Sequence, residues 1–275
     1  MPKPYQGHTP RKRFGQNFLI DEQIISQIAT AVNPQKTDTV VEIGPGLGAI
    51  TEELVAHCDN VSLVELDRDL AAKLQARFTP EQAQVYTEDA LKFDFTRISK
   101  ADHQMRIVGN LPYNISTPLL LRLFNFNRHI KDMFFMLQKE LVDRITAPHN
   151  CKQFGRLSVI SQYHCDTEYL FTVPPEAFNP PPKVQSAIIK LTPKPLSSLP
   201  PIEPEHFSLV VSKAFNQRRK TLRNSLKGIL DDQQIANANV DPKLRAENLS
   251  VDDFVRLSKQ YDPAQASNTD PASKD

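Results

Sequence analysis

Residues 39–51 read TVVEIGPGLGAIT, and this stretch decides the fold. Five residues dominated by β-branched and apolar side chains predict a strand over Thr39–Ile43. Three glycines at 44, 46 and 48 then let the backbone turn tightly and let a ligand approach the peptide plane. A helical stretch, Leu47–Ala56, follows. Strand, glycine turn and helix N-terminus together make the first half of a nucleoside-binding βαβ unit. The next strand, Val61–Glu65, ends in VELD, and Glu65 stands 21 positions after Gly44. A carboxylate there can accept hydrogen bonds from ribose hydroxyls.

Working outward, short apolar runs alternate with helical patterns over the first two-thirds of the chain. Strands are expected at Val85–Thr87, Arg106–Gly109, Met133–Leu137 and Ala187–Leu191, with another near Gln162–Tyr169. Helices are expected at Asp69–Arg77, Thr117–Phe126 and Lys139–Thr146, and from Gly155 in GRLSVISQYH. Ser116 reads as the hydroxyl cap of the Thr117 helix, with Pro118 in its first turn. The alternation implies an α/β fold with a parallel sheet covered on both faces. Leu191–Pro204 holds five prolines in fourteen residues, which breaks the pattern. Beyond it the chain reads as helical: His206–Phe215, Thr221–Leu230, Gln233–Ala238 and Val251–Gln260. The expected organisation is a basic leader over 1–20, an α/β domain over 21–195, a small all-helical domain over 203–261 and a disordered tail over 262–275.

Composition sets bounds. The chain has 275 residues, a formal net charge of +1 and three cysteines without a CxxC. A disulfide framework, a structural zinc and any other metal are not expected, and a reducing, cytoplasmic compartment is. No secretory signal and no run of about 18 apolar residues is present, so no membrane span is expected. The charge is unevenly placed. Lys3, Arg11, Lys12 and Arg13 all precede the first acid, Asp21. Between Glu205 and Asp231 stand Lys213, Arg218, Arg219, Lys220, Arg223 and Lys227, with no acid among them. Two like-signed segments in a near-neutral chain point to a localised anionic partner. A helical Thr221–Leu230 would gather Lys220, Arg223 and Lys227 on one face.

The identity of the nucleoside ligand turns on Pro45 and Asp89. GPGLG is not the dinucleotide GxGxxG, and Pro45 removes a backbone N–H that a pyrophosphate cradle would use. S-adenosylmethionine carries no phosphate and loses nothing by it. Asp89, in YTEDAL at Tyr86–Leu91, can accept from an adenine amino group or can be a helix N-cap. No GxxxxGK[ST] occurs, which sets aside a P-loop nucleotide site.

GNLPYNIST, Gly109–Thr117, follows the apolar run MRIV. If methyl transfer is the chemistry, the acceptor is an amine whose lone pair is delocalised into a ring. Two hydrogen-bond acceptors and a stacking surface would orient such a group. Asn110 offers a side-chain carbonyl, Leu111 a main-chain carbonyl in an extended conformation enforced by Pro112, and Tyr113 a flat ring.

These motifs, with KRFGQNFL at Lys12, EIGPGLGAIT at Glu42, VPPEAFNPPPKVQS at Val173 and AFNQRRKTLRNSL at Ala214, resemble the KsgA/Erm family of S-adenosylmethionine-dependent rRNA adenine dimethyltransferases. The Leu of NLPY and the basic C-terminal segment are similar to the KsgA branch. The resemblance implies a Rossmann-like methyltransferase fold with a small helical C-terminal domain. It implies cofactor contacts at Asn17, Leu19, Gly44, Glu65, Asp89 and Asn110. It implies a target-base pocket of Asn110, Leu111, Tyr113 and Phe178, although Phe178 read alone could equally be a core anchor. It implies dimethylation of two adjacent adenosines in a loop near the 3′ end of 16S rRNA, within the assembling 30S particle, by a monomer. Arg218, Arg219, Lys220, Arg223 and Lys227 are the expected RNA contacts. An Erm-type enzyme acting on large-subunit rRNA, a non-catalytic RNA-binding assembly factor and an NAD oxidoreductase are the alternatives.

Overall fold

The computed structural model describes residues 6–11, 15–99 and 104–263. Lys3, Lys12, Arg13 and the tail from 264 lie outside the described residues. Contacts divide the chain into two compact units. One takes in the described residues up to Val142 together with Asp166–Lys194, and the other takes in Asp143–Cys165 and the described residues from Pro195.

In chain order the elements are β1 (Phe18–Leu19), α1 (Glu22–Val32), β2 (Thr39–Ile43), α2 (Ala49–His57), β3 (Asn60–Val64), α3 (Arg68–Arg77), β4 (Gln84–Tyr86), β5 (Met105–Asn110) and α4 (Ser116–Leu123). There follow β6 (Ile130–Gln138), α5 (Lys139–Ile145), α6 (Arg156–His164), β7 (Cys165–Val173), β8 (Phe178–Asn179) and β9 (Ser186–Pro193). The C-terminal helices are α7 (Pro204–Asn216), α8 (Leu222–Ser225), α9 (Asp232–Asn237) and α10 (Val251–Lys259).

The first unit is built on a seven-stranded sheet in the order β4-β3-β2-β5-β6-β9-β7. Strands β2 to β6 pair in parallel, and β9 joins β6 antiparallel. The sheet is therefore mixed at its far side where an all-parallel one was expected. All five residues of β2 are buried, as both-face coverage requires. On one face Val40, Leu63, Val108 and Phe134 pack with Ile28 and Val32 of α1, Leu54 of α2 and Leu74 of α3. Local signals place the helices. The Asp21 carboxylate caps α1 by accepting from the Gln23 and Ile24 N–H groups at 2.9 and 3.1 Å. Gly48, at φ +83°, starts α2. The Thr117 helix begins one residue earlier than expected. The Ser116 hydroxyl does not cap it but donates back to the Pro112 carbonyl at 3.0 Å.

The strand order reverses at β2. The chain leaves it outward to β3 and β4, then returns to its other side at β5. In such sheets the crevice outside the carboxyl ends of the strands, at the reversal, is the ligand site.

The second unit is helical, with Phe215 of α7 against Phe154 at 6.1 Å and stacked on Phe254 of α10 at 5.6 Å. Asp143–Cys165, expected inside the α/β domain, groups here for a local reason. The Arg218 guanidinium donates to the Lys152 and Phe154 carbonyls at 2.6 and 3.0 Å, and the Asn150 N–H donates to the Glu247 carbonyl at 2.7 Å. The expected helix over Thr221–Leu230 is only one turn long. It stops at Ser225, and Gly228, at φ +90°, turns the chain away.

Candidate functional site

The reversal point holds a cavity of about 280 Å³. That is at the small end of the roughly 300–1,000 Å³ typical of small-molecule sites. Asn17, Leu19, Gly44, Glu65, Asp89, Asn110, Leu111, Tyr113 and Phe178 all line it. Residues scattered over 160 positions of sequence thus meet in one chamber, because β2, β3 and β5 deliver their C-terminal ends side by side.

The glycine turn sets the near wall. Gly44, at φ +66°, donates its N–H to the Val64 carbonyl, and Gly48 donates to the Pro45 carbonyl, both at 2.9 Å. A Cβ on Gly46 would lie 3.2 Å from the Phe18 ring, so the turn is shaped around that ring. Glu65 closes the turn from β3. Its Oε2 accepts from the Gly46 N–H at 3.2 Å and its Oε1 from the Asp67 N–H at 2.8 Å. Burial pushes the Glu65 carboxyl up to about 6; the N–H groups of Asp67, Gly46 and Leu66 oppose this and the Asp67 charge adds to it. Asp89 lines the cavity, and its Oδ1 accepts from the Leu91 N–H at 2.9 Å; no helix starts there, so in place of the expected helix cap it closes a turn.

The far wall comes from the end of β5. The Asn110 Nδ2 donates to the Asn17 carbonyl at 3.1 Å, and its Oδ1 has no hydrogen-bond partner among the described residues. The Leu111 N–H donates to the Met136 carbonyl at 3.2 Å, which ties the Asn110–Leu111 peptide to β6. The half-buried Tyr113 ring is pinned by a 2.9 Å bond between its hydroxyl and that of Ser186, at the start of β9. Burial raises the phenol above its ordinary range, so it stays neutral.

Phe178 is 3% exposed and belongs to the main hydrophobic cluster, yet it also lines the cavity. It sits on β8, which pairs antiparallel with β1, Leu19 opposite Phe178. The ribbon joins the leader to the NPPP loop. A latch holds the leader from the other side. Buried Asp67 accepts from Arg11 Nη1 at 2.8 Å and from Gln16 Nε2 at 3.0 Å, and Arg11 also pairs with Asp69. Arg11, read as part of a basic leader, is thus spent on intramolecular acids.

Sequence reasoning passed over Glu42, Asp67 and Ser186. Glu42 carried a signal, a lone acid inside an otherwise apolar strand. Ser186 carried none.

In the second unit the five expected RNA contacts fall into two sets. Arg218 holds the Lys152–Phe154 turn, and Arg223 makes a two-point pair with Asp232 at 2.6 and 2.9 Å. Arg219, Lys220 and Lys227 are exposed and have no ion pair among the described residues. Lys227 lies in the turn after α8, so the one-face helix expected for Lys220, Arg223 and Lys227 does not form.

A sequence model described as ribosomal RNA adenine dimethylase matches residues 7–262. A "Ribosomal RNA small subunit methyltransferase A" from Acinetobacter baylyi is 52% identical over 259 residues, covering 94% of each chain. One of the same description from Dechloromonas aromatica is 52% identical over 253 residues, covering 92% of this chain and 98% of its own. Among solved structures, a dimethyladenosine transferase from Plasmodium falciparum superposes with a TM-score of 0.73 at 26% identity, covering 87% of this chain and 95% of that one. The 23S rRNA methyltransferase ErmE shares the fold, with a TM-score of 0.67 at 22% identity over 89% of this chain and 99% of its own. No helix among the described residues is long and apolar enough to cross a membrane.

Proposed function

The chain belongs to the ribosomal RNA adenine dimethylase family, and from that premise we propose that it dimethylates the exocyclic amines of two adjacent adenosines near the 3′ end of 16S rRNA, using S-adenosylmethionine, within the assembling 30S particle. It is an adenine dimethyltransferase acting on small-subunit rRNA. The single observation that carries the reading is the meeting of a ribose-type acid, a phosphate-free glycine turn and an acceptor pair with two rings in one chamber.

The residues suit the cofactor. Gly46, at φ +60°, packs against the Phe18 ring, so a side chain there would be strained and would crowd that ring. The Pro45 N–H that a pyrophosphate would need is missing, and Glu65 offers acceptors for a ribose diol. Asn17, Leu19 and Gly44 would line the cofactor with Asn110, and Asp89 would accept from its adenine amine. When bound, S-adenosylmethionine supplies an electrophilic methyl group. The chain's own residues do the rest. Asn110 Oδ1 and the Leu111 carbonyl hold the two N–H groups of the target amine and so direct its lone pair. Tyr113 and Phe178 clamp the flipped base between them. No strong base is required, because the amine attacks while neutral and sheds its proton afterwards. The gain is orientation plus complementarity to charge developing on nitrogen.

We assign residues 1–20 as a leader over the cofactor, 21–195 without Asp143–Cys165 as the catalytic domain, and 203–261 together with Asp143–Cys165 as the RNA-binding domain, with Arg219, Lys220 and Lys227 as its phosphate contacts and Arg218 and Arg223 supporting them. A cytoplasmic monomer suits a ribosomal substrate. The test is primer extension on 16S rRNA from cells lacking the protein, with and without its restoration. Stops at two neighbouring adenosines near the 3′ end, present only on restoration, support the reading. Methyl incorporation into immature large subunits instead would replace it with the large-subunit alternative.

A further inference from the structure

One buried carboxylate in the cavity has no role in the chemistry above. Glu42 lies on the central strand β2, is 2% exposed and lines the cavity. Its Oε2 accepts from the Thr51 hydroxyl of α2 at 2.5 Å, and its Oε1 has no hydrogen-bond partner among the described residues. Register places it opposite Leu63 of β3 and Val108 of β5. By strand alternation, Glu65 and Asn110 then project from the same face of the sheet.

We infer that Glu42 is the charge sensor of this chamber: it gives up its proton when a sulfonium cofactor enters, and it favours that cation over the demethylated product. The inference rests on the proposed cofactor. The surroundings support it by what they omit. The β3 end contributes Glu65, α2 contributes Thr51, β5 contributes Val108 and Asn110, and β1 contributes Phe18 and Leu19. Glu42 and Glu65 share the face, Glu88 and Asp89 also line the cavity, and no Lys, Arg or His among the described residues lines it. One hydroxyl does not account for a carboxylate there, since a neutral amide would accept the same bond. Burial pushes the Glu42 carboxyl up to about 7; the Thr51 bond opposes this and the Glu65 charge adds to it.

S-adenosylmethionine brings a sulfonium and an ammonium against one carboxylate. S-adenosylhomocysteine has lost the methyl group and with it the charge on sulfur. In a site of low dielectric, a nearby cation favours the ionised carboxylate strongly. Cofactor entry thus lowers the pKa of Glu42, and its proton goes to solvent. By linkage, cofactor affinity rises with pH, about tenfold between pH 6 and 8 for a group titrating near 7, and product affinity rises less. Such a difference helps expel product between the two methylations of each base.

Isothermal titration calorimetry on the full chain, in two buffers of different ionisation enthalpy, counts the protons released. Wild type should release more with S-adenosylmethionine than with S-adenosylhomocysteine, and Glu42→Gln should abolish the part of that excess due to the side chain. The ligands' own ammonium groups titrate in every variant and drop out of the comparison. Thr51→Val, which deletes the bond opposing burial, should move the midpoint of release to higher pH, and it carries the test if Glu42→Gln does not fold. Equal proton counts in wild type and Glu42→Gln, or a Thr51→Val profile superposed on wild type, overturn the role of Glu42 and leave the cofactor reading standing. Absence of binding heat with both ligands in wild type overturns the cofactor reading and this inference together.

Discussion

Asn110 is oriented by one hydrogen bond. Its amide gives its N–H to the Asn17 carbonyl, so the oxygen is presented as an acceptor only while the leader is in place. Asn110→Ala should therefore leave RNA binding intact and slow methyl transfer by roughly 3 kcal/mol of barrier, about 150-fold, the scale of one preorganised electrostatic partner. Single-turnover methylation against filter binding of the same RNA separates the two effects, and a variant with wild-type turnover would remove Asn110 from the mechanism. A second residue-scale prediction concerns stability without ligand. Glu42 and Glu65 have folded-state pKa values of about 7 and about 6, above the ordinary 4.5. The folded state holds these protons more tightly than the unfolded one. Their stabilising contribution is complete below about 4.5 and is lost as pH rises through the folded values. His164 works oppositely, since burial keeps it neutral down to about 4. The informative quantity is the stability of Glu42→Gln relative to wild type by urea unfolding, which should rise between pH 4.5 and 7.5 by up to roughly 3 kcal/mol. A flat difference would mean that Glu42 does not titrate in that window. At this scale Glu65 was legible from sequence because its distance from Gly44 is imposed by one βαβ unit. Ser186 was not, because its bond to Tyr113 depends on a strand 73 residues later folding back beside β6.

At the scale of elements, apolar runs located the seven strands of the main sheet to within a few residues, since all but the three-residue β4 are long enough to show a pattern. The ribbon of β1 and β8 was invisible for the opposite reason: two residues carry no period. Phe178 could thus be read as a core anchor or as a pocket wall, and the ribbon makes it both. Likewise the expected Ser116 cap failed because the hydroxyl found a nearer acceptor in the Pro112 carbonyl. Gly109 shows how the elements set the site. It faces Ile43 across the β2–β5 pair, and a Cβ there would lie 2.7 Å from the Ile43 carbonyl oxygen and 3.0 Å from the Leu111 side chain. Any side chain must part the two strands where they deliver Gly44 and Asn110. Gly109→Ala should cost about 1–3 kcal/mol in urea unfolding, the range for overpacking a tight interior. It should also weaken cofactor binding in calorimetry, because both walls of the cavity move. Unchanged stability and affinity together would show that the strands part without consequence, and that their spacing does not set the site.

At the scale of the whole chain, charge was the most legible feature and also the one whose reading changed most. Six basic residues without an acid between Glu205 and Asp231 invited one basic helix. Sequence did not reveal that Glu247 returns to neutralise part of the run, or that Asp143–Cys165 folds with it, because both are contacts between distant positions, and it did not reveal the Arg223–Asp232 pair because that pair depends on the early stop of α8. The structure sorts the cations by cost. Arg223 is held in a two-point pair, and Arg218 holds carbonyls of the Lys152–Phe154 turn, so charge reversal at either breaks internal bonds. Reversal at Lys220 or Lys227 breaks none among the described residues. A phosphate contact releases condensed counterions, so each lost contact lowers the slope of log affinity against log salt by about 0.7–0.9. Lys220→Glu and Lys227→Glu should each weaken binding of immature small subunits, flatten the salt dependence by about that amount and leave the urea midpoint unchanged. Arg223→Glu should instead shift the urea midpoint, since it sets a carboxylate against Asp232. Measuring binding across a salt series for all three variants, with unfolding alongside, decides the matter. An unaltered slope in both lysine variants would remove this face from RNA recognition, whatever Arg223→Glu does.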